Sequence, residues 1–380
     1  MYYPRNTFLG KTTLLALAFL LWRCVDPVDP EFRYQEGLIY IDALASTVPG
    51  ASFVKIFESR REFGFNTNVF VTAAEVYYVE SNTGREISLI EQEDAYIPPF
   101  DFALEIGSTW ELRIVLEDGR EYWSEKETTL PPVEITDLSV EYNPELLLIG
   151  DSETRAPGHS LSVTFNDPPE DDNYYYWNFR SFERLIYCAT CFNSLYRNGG
   201  CVTVNPSLVS SIKPYYTYGC SPKCWRIRFN DEVNIFSDQF TNGKEVKNLP
   251  VAKIPLFTKE NVVVELRQFS LTPAAHSYYE TLNDIVDNNS GFNSPIPAVL
   301  VGNLFNPNDP EEFVLGRFTA VGTSTKSVFI ERIFILENQI EDRIFGQFEG
   351  LEVPIEPTTT NAPCEESRYR TNIRPENWVD

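Results

Sequence analysis

Short runs with an apolar residue at every second position fill most of the chain and constrain its fold more than any other feature. Between residues 36 and 132 these runs are GLIYIDALA, SFVKIF, VFVTAAEVYYVES and WELRIVLEDGREYWSE. Turn-forming residues bound them, and the turns at 82–84 (NTG) and 118–119 (DG) suit β-hairpins. The alternation predicts half-buried strands, and about a hundred residues of it predict an immunoglobulin-like β-sandwich over 36–132.

The same pattern continues over residues 133–354, where the loops between the runs are longer. Runs such as YYYWNFRSFERLIY and NVVVELRQFSL predict further strands. The segment TPAAHSYYETLNDIVDNN predicts a helix, because Thr272 is a capping residue and Ala275, Tyr279 and Leu282 fall at helical intervals. The chain is therefore predicted to be mainly β, with an N-terminal immunoglobulin-like β-sandwich followed by a larger β-rich domain with one or two short helices.

The N-terminal residues have the pattern of a secretory signal. Basic residues precede the apolar run Leu14–Trp22, which is too short to cross a bilayer as a helix. Cys24 follows directly, at the place where a bacterial lipoprotein signal has its acylated cysteine, although Arg23 stands where a small residue is usual. We expect residues 1–23 to be a signal peptide, Cys24 to carry a lipid and 24–35 to be an acidic tether. An ordinary signal peptide or a misassigned start is the alternative.

The charge of the chain argues against one class of partner. The formal net charge of the 380 residues is −24, which repels phosphate backbones, so we expect no nucleic-acid partner. The sequence contains no Walker motif, Gly-rich phosphate loop or dinucleotide fingerprint, which argues against a nucleotide enzyme. We expect neither a cofactor nor a metal.

Six cysteines follow Cys24, and an even number in an exported chain predicts disulfides. The spacing in CATC and CSPKC also suits a tetrahedral zinc site, which is the alternative. We expect Cys364 to pin the Pro/Thr-rich tail, residues 355–380, to the body of the protein. The spacing alone does not choose among the pairings. The disulfide candidates are Cys188, Cys191, Cys201, Cys220, Cys224 and Cys364.

Catalytic signatures are weak in this sequence. His159 and His276 are its only histidines, and we expect structural or surface roles for both. Ser152 lies in a GDS block like that of GDS-type esterases, but the matching Asp-x-x-His is absent, so we interpret Ser152 as a turn residue. The acidic stretch NDPPEDDN at 166–173 lacks the order of an EF-hand and is interpreted as a solvated loop. We therefore predict that the chain is not an enzyme. A hydrolase with a non-standard or metal-dependent site is the least favoured alternative.

Aromatic residues cluster in DDNYYYWNF and KPYYTYGCSPKCW. In strands, alternate members of such runs pack inward and the others face outward, where they offer amphipathic contact area to a partner or a glycan. Packing in the core explains much of the same pattern. The candidate binding surface comprises Tyr174, Tyr176, Tyr215, Tyr216, Tyr218 and Trp225.

Several of these segments together resemble a Bacteroidota outer-membrane lipoprotein family, domain of unknown function 4249 (DUF4249). The resemblance covers nearly the whole chain after Cys24 and rests on DGREYWSE, NYYYWNF, AVLVGNLFNPNDPEEFVLGRFTA and RTNIRPENW. Its most specific part is GN at 302–303 followed by VLGRF at 314–318, where the family usually has a tyrosine at the position of Arg317. Gly302 and Gly316 predict tight backbone positions, and the phenylalanine that ends the motif predicts a core anchor.

The resemblance implies a function and a location. It implies a surface-exposed outer-membrane lipoprotein that acts as an accessory or cargo-handling subunit of a SusC-like TonB-dependent barrel. Acidic residues just behind Cys24, in VDPVDPE, resemble a signal for display on the outer face of the outer membrane. The expected location is therefore the outer membrane, lipid-anchored and facing the cell exterior. A stand-alone glycan- or peptide-binding or adhesive surface lipoprotein is the alternative.

Overall fold

Strands dominate the described part of the computed structural model. It describes residues 36–62, 65–148, 155–169, 172–184, 187–192, 194–197, 200–203, 216–221, 224–230, 232–288, 300, 302–340, 364 and 366–379. The strands of the first half are β1 (Ile39–Ser46), β2 (Phe53–Glu62), β3 (Phe65–Phe70), β4 (Glu75–Glu80), β5 (Glu86–Gln92), β6 (Ala95–Ile97), β7 (Thr109–Val115), β8 (Glu121–Ser124), β9 (Glu127–Thr128), β10 (Ile135–Leu148), β11 (Arg155–Asn166) and β12 (Tyr174–Arg184).

The second half adds shorter strands and a helix. They are β13 (Tyr187–Phe192), β14 (Ser194–Arg197), β15 (Gly200–Thr203), β16 (Tyr216–Ser221), β17 (Trp225–Phe229), β18 (Asn234–Ser237), β19 (Glu245–Pro255), β20 (Val262–Leu271), α1 (Pro273–Asn288), β21 (Leu304–Phe305), β22 (Val314–Ile330) and β23 (Arg370–Thr371). The predicted mainly β fold is confirmed. The immunoglobulin-like assignment of its first part stays a prediction.

Residues from Gly37 onward form one compact unit. Its largest described sheet runs in the order β21-β8-β7-β4-β5-β6-β2-β1-β22-β20-β12-β17-β23. Most neighbouring strands are antiparallel, but β1 and β22 are parallel, so the sheet is mixed. The sheet therefore joins strands from both halves of the chain by backbone hydrogen bonds.

The first core lies between the strands around β1 and those around β7. Apolar residues alternate along both strands, so that Ile39 and Ile41 of β1 and Leu112 and Ile114 of β7 are almost fully buried. These side chains pack with Phe318 of β22 in one cluster. Two predicted hairpins are confirmed here, since β4 pairs with β5 and β7 with β8. Their turns contain glycines with positive φ, at 84 and 119.

The second core lies between a separate three-stranded sheet and strands β12 and β20 of the largest sheet. Strand β11 pairs with β10 on one side and β19 on the other, and this small sheet packs against β12 and β20. The aromatic run of β12 alternates across the strand, so that Tyr175 and Trp177 point into this core beside Phe165 of β11. Alternate side chains of β12 are therefore left for the opposite face.

Strand β22 connects the two cores. Its first half, Val314–Val321, runs parallel to β1, and its second half, Gly322–Ile330, runs antiparallel to β20. Gly316 has a φ of +105°, and a Cβ there would collide with the carbonyl oxygen of Ile41. A Cβ at Gly302 would in turn collide with the carbonyl oxygen of Gly316. Both glycines are therefore tight backbone positions, as the sequence predicts.

Helix α1 covers the place where the two cores meet. The hydroxyl of Thr272 accepts a hydrogen bond from the backbone N–H of Ala275 at 3.2 Å, which confirms the predicted cap. Tyr278 and Tyr279 pack with Leu44 of β1 and Phe269 of β20. The helix is thus held by apolar contacts to both cores.

A disulfide between Cys224 and Cys364 holds the C-terminal residues against β17. Beside it, Trp378 packs edge-on against Trp225, with ring centroids 5.8 Å apart. The disulfide expected for Cys364 is therefore present, and the attachment of the whole tail, 355–380, stays a prediction. Because Cys224 is bonded to Cys364, it is not available to the zinc site that CATC and CSPKC suggest.

The remaining candidate cysteines lie on strands of which the structure describes the backbone. Cys188 of β13 and Cys220 of β16 are direct cross-strand partners in an antiparallel pair. Cys191 lies further along β13, and Cys201 lies on β15 opposite Tyr196. The side chains of these four cysteines lie outside the described residues, and their pairing stays a prediction.

Candidate functional site

A cavity of about 260 Å³ lies where β1, β2, β12 and β22 meet helix α1, and we call it the junction cavity. Its walls combine aromatic and polar side chains, which is typical of sites for small ligands. The wall residues that matter most for its chemistry are Tyr40, Asp42, Tyr176, Asn178, Tyr278 and Tyr279.

Strand alternation places the polar side chains in the junction cavity. On β1, Ile39 and Ile41 point into the first core, so Tyr40 and Asp42 occupy the other face. On β12, Trp177 points into the second core, and the side chains on either side of it, at 176 and 178, face the junction cavity. The apolar cores therefore determine which polar residues are left to line the cavity.

Tyrosine rings form one wall of the junction cavity. Tyr176 stacks on Tyr279 with centroids 4.9 Å apart and an interplanar angle of 15°, and Tyr278 meets Tyr279 edge-on at 5.4 Å. Burial raises the pKa values of Tyr40, Tyr278 and Tyr279 above the ordinary value for tyrosine, and the nearby carboxylate of Asp42 raises them further. These phenols are therefore protonated at neutral pH and serve as hydrogen-bond donors.

The cationic side chains of the cavity wall are paired with carboxylates. Arg317 forms a buried ion pair with Glu127 of β9. Lys55 lies 3.3 Å and Arg368 3.0 Å from oxygens of Asp94. These pairs set three cations against two carboxylates, and Asp42 of the wall supplies a third, so the charges of the site balance in number.

Several polar groups on the wall have no hydrogen-bond partner within the described residues, and the buried Nε of Arg317 is one of them. The Oδ1 atom of Asn178 is buried and accepts no hydrogen bond. The hydroxyl groups of Tyr40 and Tyr278 make none either, and no aromatic ring of the described chain packs on Tyr40. A buried acceptor without a partner costs free energy, which a ligand that supplies a donor would recover.

A second cavity of about 210 Å³ adjoins the first. The two cavities share Phe179, Phe229 and Asn230 in their walls. Glu183 and Arg228 form a buried ion pair in the wall of the second cavity, with Nε and Oε2 2.8 Å apart. The two cavities therefore lie on either side of one short partition.

The structure separates the predicted aromatic surface. Tyr176 lines the junction cavity, whereas Tyr174 packs against His276 with ring centroids 4.5 Å apart. Trp225 is only 4% exposed, so its indole belongs to the core and not to a surface. Tyr216 and Tyr218 lie on β16 with side chains outside the described residues, as does the whole of Tyr215.

The two histidines lie apart from the junction cavity walls. His159 is 3% exposed beside Tyr142, and burial together with Arg332 lowers its pKa to about 4. Burial also lowers the pKa of His276. Ser152 lies outside the described residues. Neither histidine is among the described residues that line the two cavities.

The acidic stretch is not wholly solvated. Asp167 is 5% exposed and accepts hydrogen bonds from the hydroxyl of Tyr175 at 2.5 Å and the backbone N–H of Gly243 at 3.0 Å. Glu170 and Asp171 lie outside the described residues. Over the part of the chain that the structure describes, no group of three or more histidine, cysteine or acidic side chains is placed to hold a metal.

Sequence reasoning missed most of the junction cavity. Tyr40 and Asp42 are two residues apart in a strand pattern, which predicts that they share a face but not what covers that face. Tyr278 falls beside the helical positions that the pattern assigns to the core. The departure at Arg317 from the usual tyrosine was the available signal, because Arg317 lies in the cavity wall.

Comparison with known proteins gives the family of the chain. The described residues contain no helix long and apolar enough to cross a membrane. No curated protein matches the sequence. The model of a family described as Domain of unknown function (DUF4249) matches residues 25–327, which is most of the chain. The chain therefore belongs to the DUF4249 family.

Proposed function

We propose that the chain is a lipid-anchored protein of the outer-membrane surface that holds a small cargo molecule in the junction cavity. In this proposal it serves a SusC-like TonB-dependent barrel as an accessory, cargo-handling subunit. The junction cavity is the observation that carries the proposal, because it is a concave site with aromatic walls and polar groups that lack partners.

The composition of the cavity wall supports binding over catalysis. Its described residues include no serine, cysteine or histidine, so it offers no pair of nucleophile and base. Its lysine and arginines are held in ion pairs, which suits a fixed binding site better than proton transfer. The proposed role is therefore to hold cargo without changing it.

The position of Cys24 supports the membrane anchor. The family match begins at residue 25, so the matched region starts directly behind the predicted lipid attachment site. The acidic residues that follow Cys24 support display at the cell surface, as expected from the resemblance. A lipid anchor at this position would leave the cavity-bearing unit on the same side of the membrane as its cargo.

A stand-alone glycan- or peptide-binding surface lipoprotein is the second candidate. It is favoured by one observation: the junction cavity combines aromatic and polar side chains in one concave wall, which suits a glycan or a peptide. The two candidates differ in the partner and not in the cavity.

The test is purification of tagged full-length protein from detergent-solubilised outer membranes, followed by mass spectrometry of partners and of the mature N-terminus. We expect a stoichiometric TonB-dependent barrel and an acylated Cys24. The matched control is Cys24→Ala, which removes only the acylation site and is expected to lose the barrel. Recovery of the protein alone and without lipid would contradict the subunit role and favour the stand-alone candidate.

A further inference from the structure

We infer that the junction cavity takes an uncharged saccharide unit, with one sugar ring seated against Tyr40. This inference rests on the proposed cargo-holding function and names the chemical class of the cargo. It follows from three features of the wall: the balance of its charges, the Tyr40 ring on which no described aromatic ring is stacked, and its unpartnered polar groups.

The charges of the wall favour a neutral ligand. Arg317 is paired with Glu127, and Lys55 and Arg368 share Asp94. Asp42 of the wall adds a third carboxylate to these three cations, so the site has no excess positive charge that would favour an anionic ligand. A phosphate or carboxylate ligand would compete with these carboxylates and lose its own hydration. A neutral ligand avoids both costs.

The aromatic wall favours a ligand with a flat apolar face. Tyr176 and Tyr279 already stack on each other, but no aromatic ring of the described residues packs on Tyr40. The face of a sugar ring carries C–H groups with a partial positive charge, which suit the negative face of a tyrosine ring. Tyr40 therefore offers a ring in the cavity wall on which no aromatic ring of the described residues is stacked.

The polar groups require a ligand that both donates and accepts hydrogen bonds. The buried Oδ1 of Asn178 needs a donor, whereas the phenols of Tyr40 and Tyr278 can donate as well as accept. A sugar hydroxyl group does both. An aliphatic ligand would leave the Asn178 acceptor buried and unsatisfied, at a cost of about 1–3 kcal/mol.

The size of the site limits the seated part of the ligand. The junction cavity has a volume of about 260 Å³, which is below the ~300–1,000 Å³ typical of sites for larger ligands. It suits a single ring. The adjoining cavity lies across the Phe229 and Asn230 partition, where a second unit of an oligosaccharide would be placed.

The test is titration of the purified protein with neutral methyl glycosides and neutral disaccharides, measured by calorimetry and by saturation-transfer NMR. Alanyl-alanine and inorganic phosphate are the comparison ligands. We expect at least one saccharide to bind, and Tyr40→Phe and Asn178→Leu each to weaken it about tenfold. Tyr77→Phe is the matched control, because the Tyr77 hydroxyl bonds to Glu75 on an exposed part of β4.

The outcomes are distinct. Saccharide binding that is weakened about tenfold in Tyr40→Phe but unchanged in Tyr77→Phe supports the inference. No saccharide binding, tighter binding of the dipeptide or of phosphate, or equal affinity in all variants would overturn it. Urea midpoints show whether the Asn178→Leu variant is folded. If that variant is unfolded, Tyr40→Phe alone tests the inference. Barrel co-purification is measured separately. If no saccharide binds, the proposed subunit role still stands, and if no barrel co-purifies, the proposed ligand class still stands.

Discussion

Replacement of Gly316 by alanine is expected to be among the most damaging small changes in this protein. Gly316 lies where β22 runs beside β1, with a φ of +105°. An alanine there must adopt a backbone conformation that L-residues disfavour, which costs about 1–3 kcal/mol. Its Cβ also collides with the carbonyl oxygen of Ile41, so β1 and β22 must separate locally.

The second cost is the larger one. The colliding atom belongs to the backbone of a strand in the middle of the sheet, so it cannot move aside as a side chain would. We expect the two costs together to lower the free energy of unfolding by about 4 kcal/mol or more. That is a large part of the ~5–15 kcal/mol that stabilises a typical protein.

Gly84→Ala is the matched control. Gly84 also has a positive φ, of +70°, but no atom lies within 4 Å of its added Cβ. It should therefore show only the backbone cost, about 1–2 kcal/mol. Urea unfolding followed by tryptophan fluorescence measures both variants. Equal losses in Gly316→Ala and Gly84→Ala would refute the argument that backbone contact between β1 and β22 makes position 316 special.

Three further predictions concern the disulfide and two titrating groups. The Cys224→Ala/Cys364→Ala variant removes a link across 140 residues and should lower the free energy of unfolding by about 3–5 kcal/mol in urea titrations, and an unchanged urea midpoint would refute this. Burial raises the pKa of Glu265, but two arginines lower it further, to below the ordinary 4.5, so the stability that ionised Glu265 contributes is lost as the pH falls below 4.5. Glu265→Gln should lower the free energy of unfolding by about 3 kcal/mol at pH 7. In urea titrations at different pH values it should also reduce the loss of stability at acid pH. Burial and Arg332 lower the pKa of His159 to about 4 in the folded state, against an ordinary 6.5. The free energy of unfolding should therefore fall by about 3 kcal/mol as the pH drops from 6.5 to 4. His159→Phe should remove this fall, and a variant with the same pH profile as the natural protein would refute the argument.

Much of the fold was predictable because strand and helix periods are local properties of the sequence. The alternation in β1 and β7, the turns at 84 and 119, the Thr272 cap and the tight glycines all follow from neighbouring residues. A disulfide of Cys364 was predictable from the even number of cysteines behind Cys24, together with the expectation of export, but its partner was not.

The junction cavity was not predictable in the same way. Tyr40 and Tyr278 come from opposite parts of the chain and meet because β1 pairs in parallel with β22 and α1 covers the join. Pairing between distant strands leaves no local pattern, so the sequence showed two polar faces but not their contact. The same reason explains Trp225, whose burial depends on Trp378 in the distant tail.

The most direct test of the account is an electron cryomicroscopy map of the protein purified with its partners from native outer membranes. The account predicts a TonB-dependent barrel bound to the protein and ligand density in the junction cavity, against the ring of Tyr40. A map that shows the protein without a barrel and with that cavity empty would contradict the central claim.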